Sequence, residues 1–264
     1  MREEGWKREE EWEGEVGRRR VEGECCFFFQ AEDGIRGLGR ARGLGDVDKR
    51  KIFKCPFILG SGQTEMTPVT TVFHDKWSYK DGNYWGEALT TTDQAVMDDN
   101  GVILPDGEIG EIVWRSPSAM NSYYKDPEAT AEVSTFGWHH SGDLGYFDED
   151  HQLMFVDRKK DMIKTGGENV ASVKVERVIM SHPSVAGVTV IGLPHPHWTE
   201  AVTAIVIPKP NVDITETDLI KICKNELAGY EVPKRILFVN DIAKTATGKF
   251  LKAPLREKYA NLYL

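Results

Sequence analysis

Four segments of this chain carry residues able to do chemistry. In Ile242-Ala243-Lys244-Thr245-Ala246-Thr247-Gly248-Lys249 a lysine follows a Thr/Gly turn. A flexible ammonium placed there can sit over a phosphate or carboxylate oxygen, although a Gly-Lys pair in a loop is more often a solvated turn. Ala243 occupies a position where a Walker phosphate loop needs glycine, and no helix opens directly behind the lysine. In Asp157-Arg158-Lys159-Lys160-Asp161-Met162-Ile163-Lys164-Thr165-Gly166-Gly167-Glu168-Asn169 charge alternates ahead of a strand and two glycines. The plain reading is a charged linker with a tight turn; the functional one is a hinge, then a backbone that a ligand can approach closely. In Trp138-His139-His140-Ser141-Gly142-Asp143-Leu144-Gly145 and in Gly60-Ser61-Gly62-Gln63-Thr64-Glu65-Met66, an acidic acceptor lies beside glycine. That suits ribose hydroxyls or magnesium, but acidic residues in Gly-containing loops are common, so each segment alone is weak evidence.

The elements that must position these residues begin at Cys55. Short strands and turns are expected near residues 90–115 and 145–156, around the turn clusters Asp98-Asp99-Asn100-Gly101 and Asp148-Glu149-Asp150-His151. The second cluster lacks the pattern of a calcium loop and reads as a hairpin turn. Beyond Val156 helix and strand alternate: helix near 173–180, strands near 185–192 and 201–207, helix near 215–227, strand near 236–239, and a last helix from about Ala253. Thr215 followed by Asp218 fits a helix N-cap. A boundary is therefore placed near Asp157, giving segments 1–54, 55–156 and 157–264.

With 33 basic and 42 acidic residues the formal charge is −9, which argues against a nucleic-acid partner. The apolar fraction of 40%, with 11 Phe, 8 Tyr and 7 Trp, is enough for a real core. No apolar run is long enough to cross a bilayer and the N-terminus has no signal-peptide core, so a cytoplasmic protein is expected. Cys25, Cys26, Cys55 and Cys223 have neither disulfide nor zinc spacing and read as free thiols. His139, His140, His151, His195 and His197 read as surface or packed histidines, and Trp77, Trp85, Trp114 and Trp198 as core. Arg256 and Lys258 read as a solvated helix face. Residues 1–50 hold 11 basic and 13 acidic residues with little periodicity, and are expected to be disordered or only locally helical. Within them Cys26-Phe27-Phe28-Phe29-Gln30-Ala31-Glu32-Asp33-Gly34-Ile35-Arg36 resembles a translated sequencing-adapter peptide, which would make the first 54 residues an artefact; the rival reading is a charged tail with one aromatic knot.

Taken together and in this order, the four segments resemble those of the adenylate-forming acyl-CoA synthetases, which include luciferase-like enzymes and peptide-synthetase adenylation domains. The flavour is closest to the fatty-acid–CoA ligases, through Gln63-Thr64-Glu65-Met66-Thr67-Pro68, Tyr123-Tyr124-Lys125-Asp126-Pro127-Glu128-Ala129-Thr130 and Thr245-Ala246-Thr247-Gly248-Lys249. The resemblance implies an α+β fold, with a mobile C-terminal domain at 157–264 and, at 55–156, the β-rich, barrel-like tail of a truncated AMP-binding domain. It implies activation of a carboxylic acid by ATP and Mg2+ to an acyl-adenylate, then thioester formation with coenzyme A after rotation of the small domain.

Carried over residue by residue, the resemblance makes Lys249 the lysine that reaches the reacting carboxylate and α-phosphate, and Asp143 the acceptor of both ribose hydroxyls. Arg158 becomes its basic companion, Thr64 a phosphate contact and Glu65 the magnesium ligand. Lys160 falls at the hinge and Lys164 faces the site in the thioester-forming orientation, while Gly166 and Gly167 line the pantetheine channel. Two departures stand out: no Ser/Thr/Gly-rich phosphate loop or acyl pocket precedes Lys54, and Ser61 stands where relatives usually carry an aromatic residue against adenine. The expectation is thus the C-terminal part of a fatty-acid–CoA ligase, missing its N-terminal domain and inactive alone. The alternatives are a ligase for an aryl or other acid, and a stand-alone, non-catalytic binding module.

Overall fold

A computed structural model of the chain describes residues 27–30 and 57–264, apart from Pro68, Ser78, Asp81, Ala246 and Thr247. Among these residues two sheets are formed. The first comprises β1 (Phe27–Gln30), β2 (Phe57–Ser61), β3 (Thr71–Phe73), β4 (Tyr84–Ala88), β5 (Asp93–Met97), β6 (Gly110–Arg115), β7 (Ser134–Thr135), β8 (Trp138–Phe147) and β9 (Leu153–Arg158). Its order is β1-β2-β3-β4-β9-β8-β6-β5, with β7 also on β8. Every pairing is antiparallel except β1 with β2. β1 falls inside the segment expected to be disordered or locally helical; the rest of the adapter-like peptide lies outside the described residues, as do Cys25, Cys26 and Cys55. Met66, Trp85, Val96, Ile112, Trp114, Phe147, Leu153 and Phe155 form the core of this sheet. Trp85 stacks on Phe155 with ring centroids 4.8 Å apart, and on Trp114 at 6.2 Å.

The second sheet comprises β10 (Ile163–Thr165), β11 (Glu168–Val170), β12 (Val185–His195), β13 (Thr199–Pro208) and β14 (Arg235–Phe238), in the order β11-β10-β13-β12 with β14 parallel to β13. The near-continuous apolar runs of β12 and β13 follow from burial on both faces. Val188, Val190, Val202, Ala204 and Val206 meet the apolar stripes of α2 (Ser172–Met180) and α3 (Glu216–Glu226). Ile191, Leu193 and Ile205 point the other way, to Ile242, Phe250 and, on α4 (Lys252–Lys258), Leu255. The N-cap expected at Thr215 and Asp218 starts α3 and is a full capping box, and the helix α1 (Pro127–Val133) starts behind an Asp126 cap. Cys223 is a free, buried thiol of α3.

The sheets are joined by a single 3₁₀ turn, Lys159–Asp161, and two polar knots hold this junction. In one, Asp157 Oδ2 accepts from the backbone N–H and the hydroxyl of Ser172, while Lys252 Nζ donates to Ser172 Oγ at 2.7 Å and pairs with Glu176 at 3.0 Å. Burial pushes the Asp157 carboxyl up. In the other, Arg256 Nη2 on α4 pairs with buried Asp161 at 2.8 Å and approaches the Lys160 carbonyl at 3.4 Å. Arg256 is therefore no solvated helix face, whereas Lys258 is exposed. No helix among the described residues is long and apolar enough to cross a membrane.

Candidate functional site

Asp143 sits inside a strand, where the sequence suggested a glycine loop. Across β6 and β8, Glu111 faces Leu144 and Val113 faces His140, so residues 141–143 bulge opposite Ile112. Gly142 supplies the left-handed turn of the bulge at φ 72°. Ser141 Oγ pins it, donating to the Ile112 carbonyl at 2.6 Å and accepting from the Asp143 N–H at 3.0 Å. The Asp143 side chain is turned inward, and the residue is only 5% exposed. Its register partner on β9 is Arg158, with Nε 3.6 Å from Oδ1. Burial raises the carboxyl to about 6, against the opposing charge of Arg158 and the bond from Gln63. Gln63 Nε2 donates to Oδ2 at 3.3 Å and Arg158 lies beside Oδ1, which leaves acceptor capacity on the carboxylate for a pair of hydroxyls.

Gln63, a residue of segment 60–66 for which no role is expected from the sequence, ties the β2 loop to this bulge. Its Nε2 also donates to the Ser141 carbonyl at 2.8 Å, so its Oε1 must accept from His139 Nε2 at 3.1 Å. That fixes the proton of His139 on Nε2, and burial pushes this histidine's pKa down. Thr64 and Glu65 follow in a 3₁₀ turn, with Thr64 exposed. Glu65 Oε1 accepts from the Tyr123 hydroxyl at 2.8 Å, and the Glu65 carbonyl accepts from the Met120 N–H at 2.7 Å. Burial, then the Glu65 bond, pushes Tyr123 up to about 12. Among the described residues no three His, Cys, Asp or Glu side chains form a metal cluster. A single carboxylate nevertheless fits magnesium, which keeps its waters and takes its other ligands from phosphates.

Lys249 arrives from the other sheet, on a loop closed by a bridge between Lys244 and Phe250. Its backbone N–H donates to Thr245 Oγ1 at 3.1 Å, its carbonyl accepts from the Thr245 N–H at 2.7 Å, and Gly248 takes φ 88°. Lys249 is close enough for its charge to lower the pKa of Asp143. Gln63, Asp143 and Arg158 are thus in direct contact, Thr64 and Glu65 sit in the turn that follows Gln63, and Lys249 lies within electrostatic reach of Asp143.

Lys164, Gly166 and Gly167 are at another. Gly166 and Gly167, at φ 59° and 90°, make the two-residue turn between β10 and β11, where the double positive φ matches the strand twist. Exposed Lys164 donates its backbone N–H to Glu200 at 2.7 Å, and Gly166 donates to the Trp198 carbonyl at 2.9 Å. A Cβ on Gly167 would meet nothing within 4 Å, so the turn presents open backbone that a slender chain could lie against. Lys160 is exposed in the junction turn.

The histidines and tryptophans divide as packed or paired groups. His140 pairs with Glu111 at 3.2 Å, exposed His151 pairs with Asp106 at 3.1 Å, and His195 stacks on Trp198 at 4.3 Å. Trp85 and Trp114 are core, whereas Trp198 is part-exposed beneath Lys234, 4.6 Å from its ring centre.

Residues 48–124 match the family model described as AMP-binding enzyme, and residues 174–249 match the one described as AMP-binding enzyme C-terminal domain. The chain is 42% identical over 175 residues to the long-chain-fatty-acid–CoA ligase FadD13 of Mycobacterium tuberculosis, a match covering 66% of this chain and 34% of that protein. It is 38% identical over 203 residues to a feruloyl-CoA synthase of Amycolatopsis sp, covering 77% of this chain and 41% of that one. ATP-bound MatB from Rhodopseudomonas palustris is similar in structure, with a TM-score of 0.70 at 31% identity over 80% of this chain and 41% of that chain. The chain spans 34% to 41% of the length of these curated relatives.

Proposed function

The chain belongs to the AMP-binding enzyme family, and from that premise we propose that it is the nucleotide- and thiol-handling part of a fatty-acid–CoA ligase. Acid–CoA ligases of this family use ATP, Mg2+ and coenzyme A. We assign residues 55–156 to the large AMP-binding domain and 157–264 to the mobile C-terminal domain, with Lys160 as the hinge. The observation that carries this reading is a buried carboxylate, Asp143, facing Arg158 on one sheet while the charge of Lys249 reaches it from the other.

In this assignment Asp143 accepts from both ribose hydroxyls, bonds that are strengthened by its charge. Arg158 keeps that carboxylate ionised near neutral pH. Thr64 donates to phosphate, and Glu65 holds magnesium, which when bound neutralises charge on the phosphate oxygens. Lys249 offers its ammonium to the carboxylate and phosphate oxygens between which negative charge develops. After rotation at Lys160, Lys164 takes that side of the site and the Gly166–Gly167 turn lines the path of the thiol. The assigned residues include no Ser/Thr/Gly-rich phosphate loop and none for the acyl chain, so the 264-residue chain should bind AMP without catalysing ATP–pyrophosphate exchange.

Calorimetric titration of the 264-residue chain with AMP tests this reading. Binding that weakens at least about tenfold in Asp143→Ala is expected, since two charge-assisted bonds are lost; no binding, or equal binding by the variant, overturns it. The similarity to a feruloyl-CoA synthase favours an aryl acid as the second reading. Tighter binding of feruloyl sulfamoyladenosine than of a long-chain acyl sulfamoyladenosine would select it.

A further inference from the structure

Glu111 belongs to none of the four motifs, yet its side chain is only 11% exposed and touches both flanks of the Asp143–Arg158 pair. Oε1 accepts from the N–H of Gly142, the residue before Asp143, at 3.0 Å. Oε2 accepts from Lys159 Nζ, the residue after Arg158, at 3.1 Å and meets His140 Nδ1 at 3.2 Å. Lys159 is held on its other side by Asp99 at 2.7 Å. Burial works against a charge on Glu111, but the bonds from His140, Lys159 and Gly142 outweigh it and hold the carboxyl below the usual range.

The geometry of this splint follows from the bulge. Between Glu111↔Leu144 and Val113↔His140 the β6–β8 ladder is interrupted, so Gly142, at φ 72°, gives its N–H to a side chain instead of a strand carbonyl. With that N–H held, the bulge has one orientation, the one that sends the next side chain inward toward Arg158. Without it, the bulge keeps only the bonds of Ser141 and Gln63, and Asp143 is held less firmly.

We propose that Glu111 is a positioning residue for the nucleotide site, setting the orientation of Asp143 through the Gly142 N–H and that of Arg158 through Lys159. The bond to Gly142 is the governing one, because it needs an acceptor oxygen but no charge. This proposal rests on the assignment of Asp143 to the ribose.

The test compares Glu111→Ala, which removes the acceptor, with Glu111→Gln, which keeps it, in the full chain. AMP affinity, measured well below the unfolding midpoint of each variant, should fall about tenfold or more in Glu111→Ala and stay within about threefold of wild type in Glu111→Gln. Equal loss in both variants, or none in Glu111→Ala, overturns it. A second readout needs neither nucleotide nor a folded Ala variant: by NMR hydrogen exchange, the Gly142 amide should be protected in wild type and in Glu111→Gln. An unprotected Gly142 amide in wild type overturns the proposal. If the chain does not bind AMP but Gly142 is protected, the ribose assignment fails while the splint stands.

Discussion

Replacing Asp143 by Asn should make the protein more stable and a poorer binder of AMP. The carboxyl is raised from 3.8 to about 6 by burial, so ionising it in the folded state costs about 2 pH units, or ~3 kcal/mol, more than in the unfolded chain. The bond from Gln63 and the charge of Arg158 are already contained in that figure. Asn resembles the protonated acid in shape and has no proton to lose. The sign follows from linkage: below about pH 3.8 the acid is neutral in both states, and between 3.8 and about 6 only the unfolded chain releases its proton. Wild-type stability therefore falls through that window and is level above it. Urea denaturation followed by the fluorescence of Trp85 and Trp114, buried in the same sheet, reads this directly. The variant should gain ~3 kcal/mol at pH 7, shrinking towards zero near pH 4. A variant no more stable than wild type at pH 7, or a gain that does not change with pH, would refute the reasoning.

Two further outcomes are expected. Arg256→Ala strands the buried Asp161 carboxylate and should cost about 1–3 kcal/mol, with faster amide exchange across residues 159–163 than in Lys258→Ala; equal exchange would count against the clasp. Gly167→Ala meets no atom but is held at φ 90°, so it should lower stability by about 1 kcal/mol in thermal melts, and a neutral result would mean that the turn relaxes.

The C-terminal elements were legible because their signals are local. The spacing of Val175, Val178 and Ile179 gives the stripe of α2, and Thr215 with Asp218 marks the first turn of α3. Long apolar runs likewise announced β12 and β13, each a few residues longer in the structure than expected. What escaped the sequence depends on register. Asp143 and Arg158 fall in different motifs, and only the β8–β9 hairpin makes them neighbours. The Gly142 bulge looks like a loop in the sequence, since a left-handed glycine in a strand and one in a turn look alike. Gln63 and His139 stood inside quoted motifs, but their mutual bond spans 76 residues. Glu111 had no signal beyond being the acidic residue of a strand whose centre is apolar. Arg256 was misjudged because its helix face is solvated in isolation and closed only by the junction turn.

The knot at Asp157 also constrains the order in which the chain can mature on the ribosome. Its carboxylate is buried in the first sheet, its donors come from Ser172, and Ser172 in turn is bound by Lys252, 95 residues beyond Asp157. A nascent chain halted after β9 holds an acid that has yet to meet its donors, and one halted before α4 lacks the ammonium that Glu176 and Ser172 share. Because synthesis runs at about 5–20 residues per second, this junction stays wet for seconds after the first sheet has emerged. Its closure must then wait for α4, and a chain cut just before α4 should never complete it.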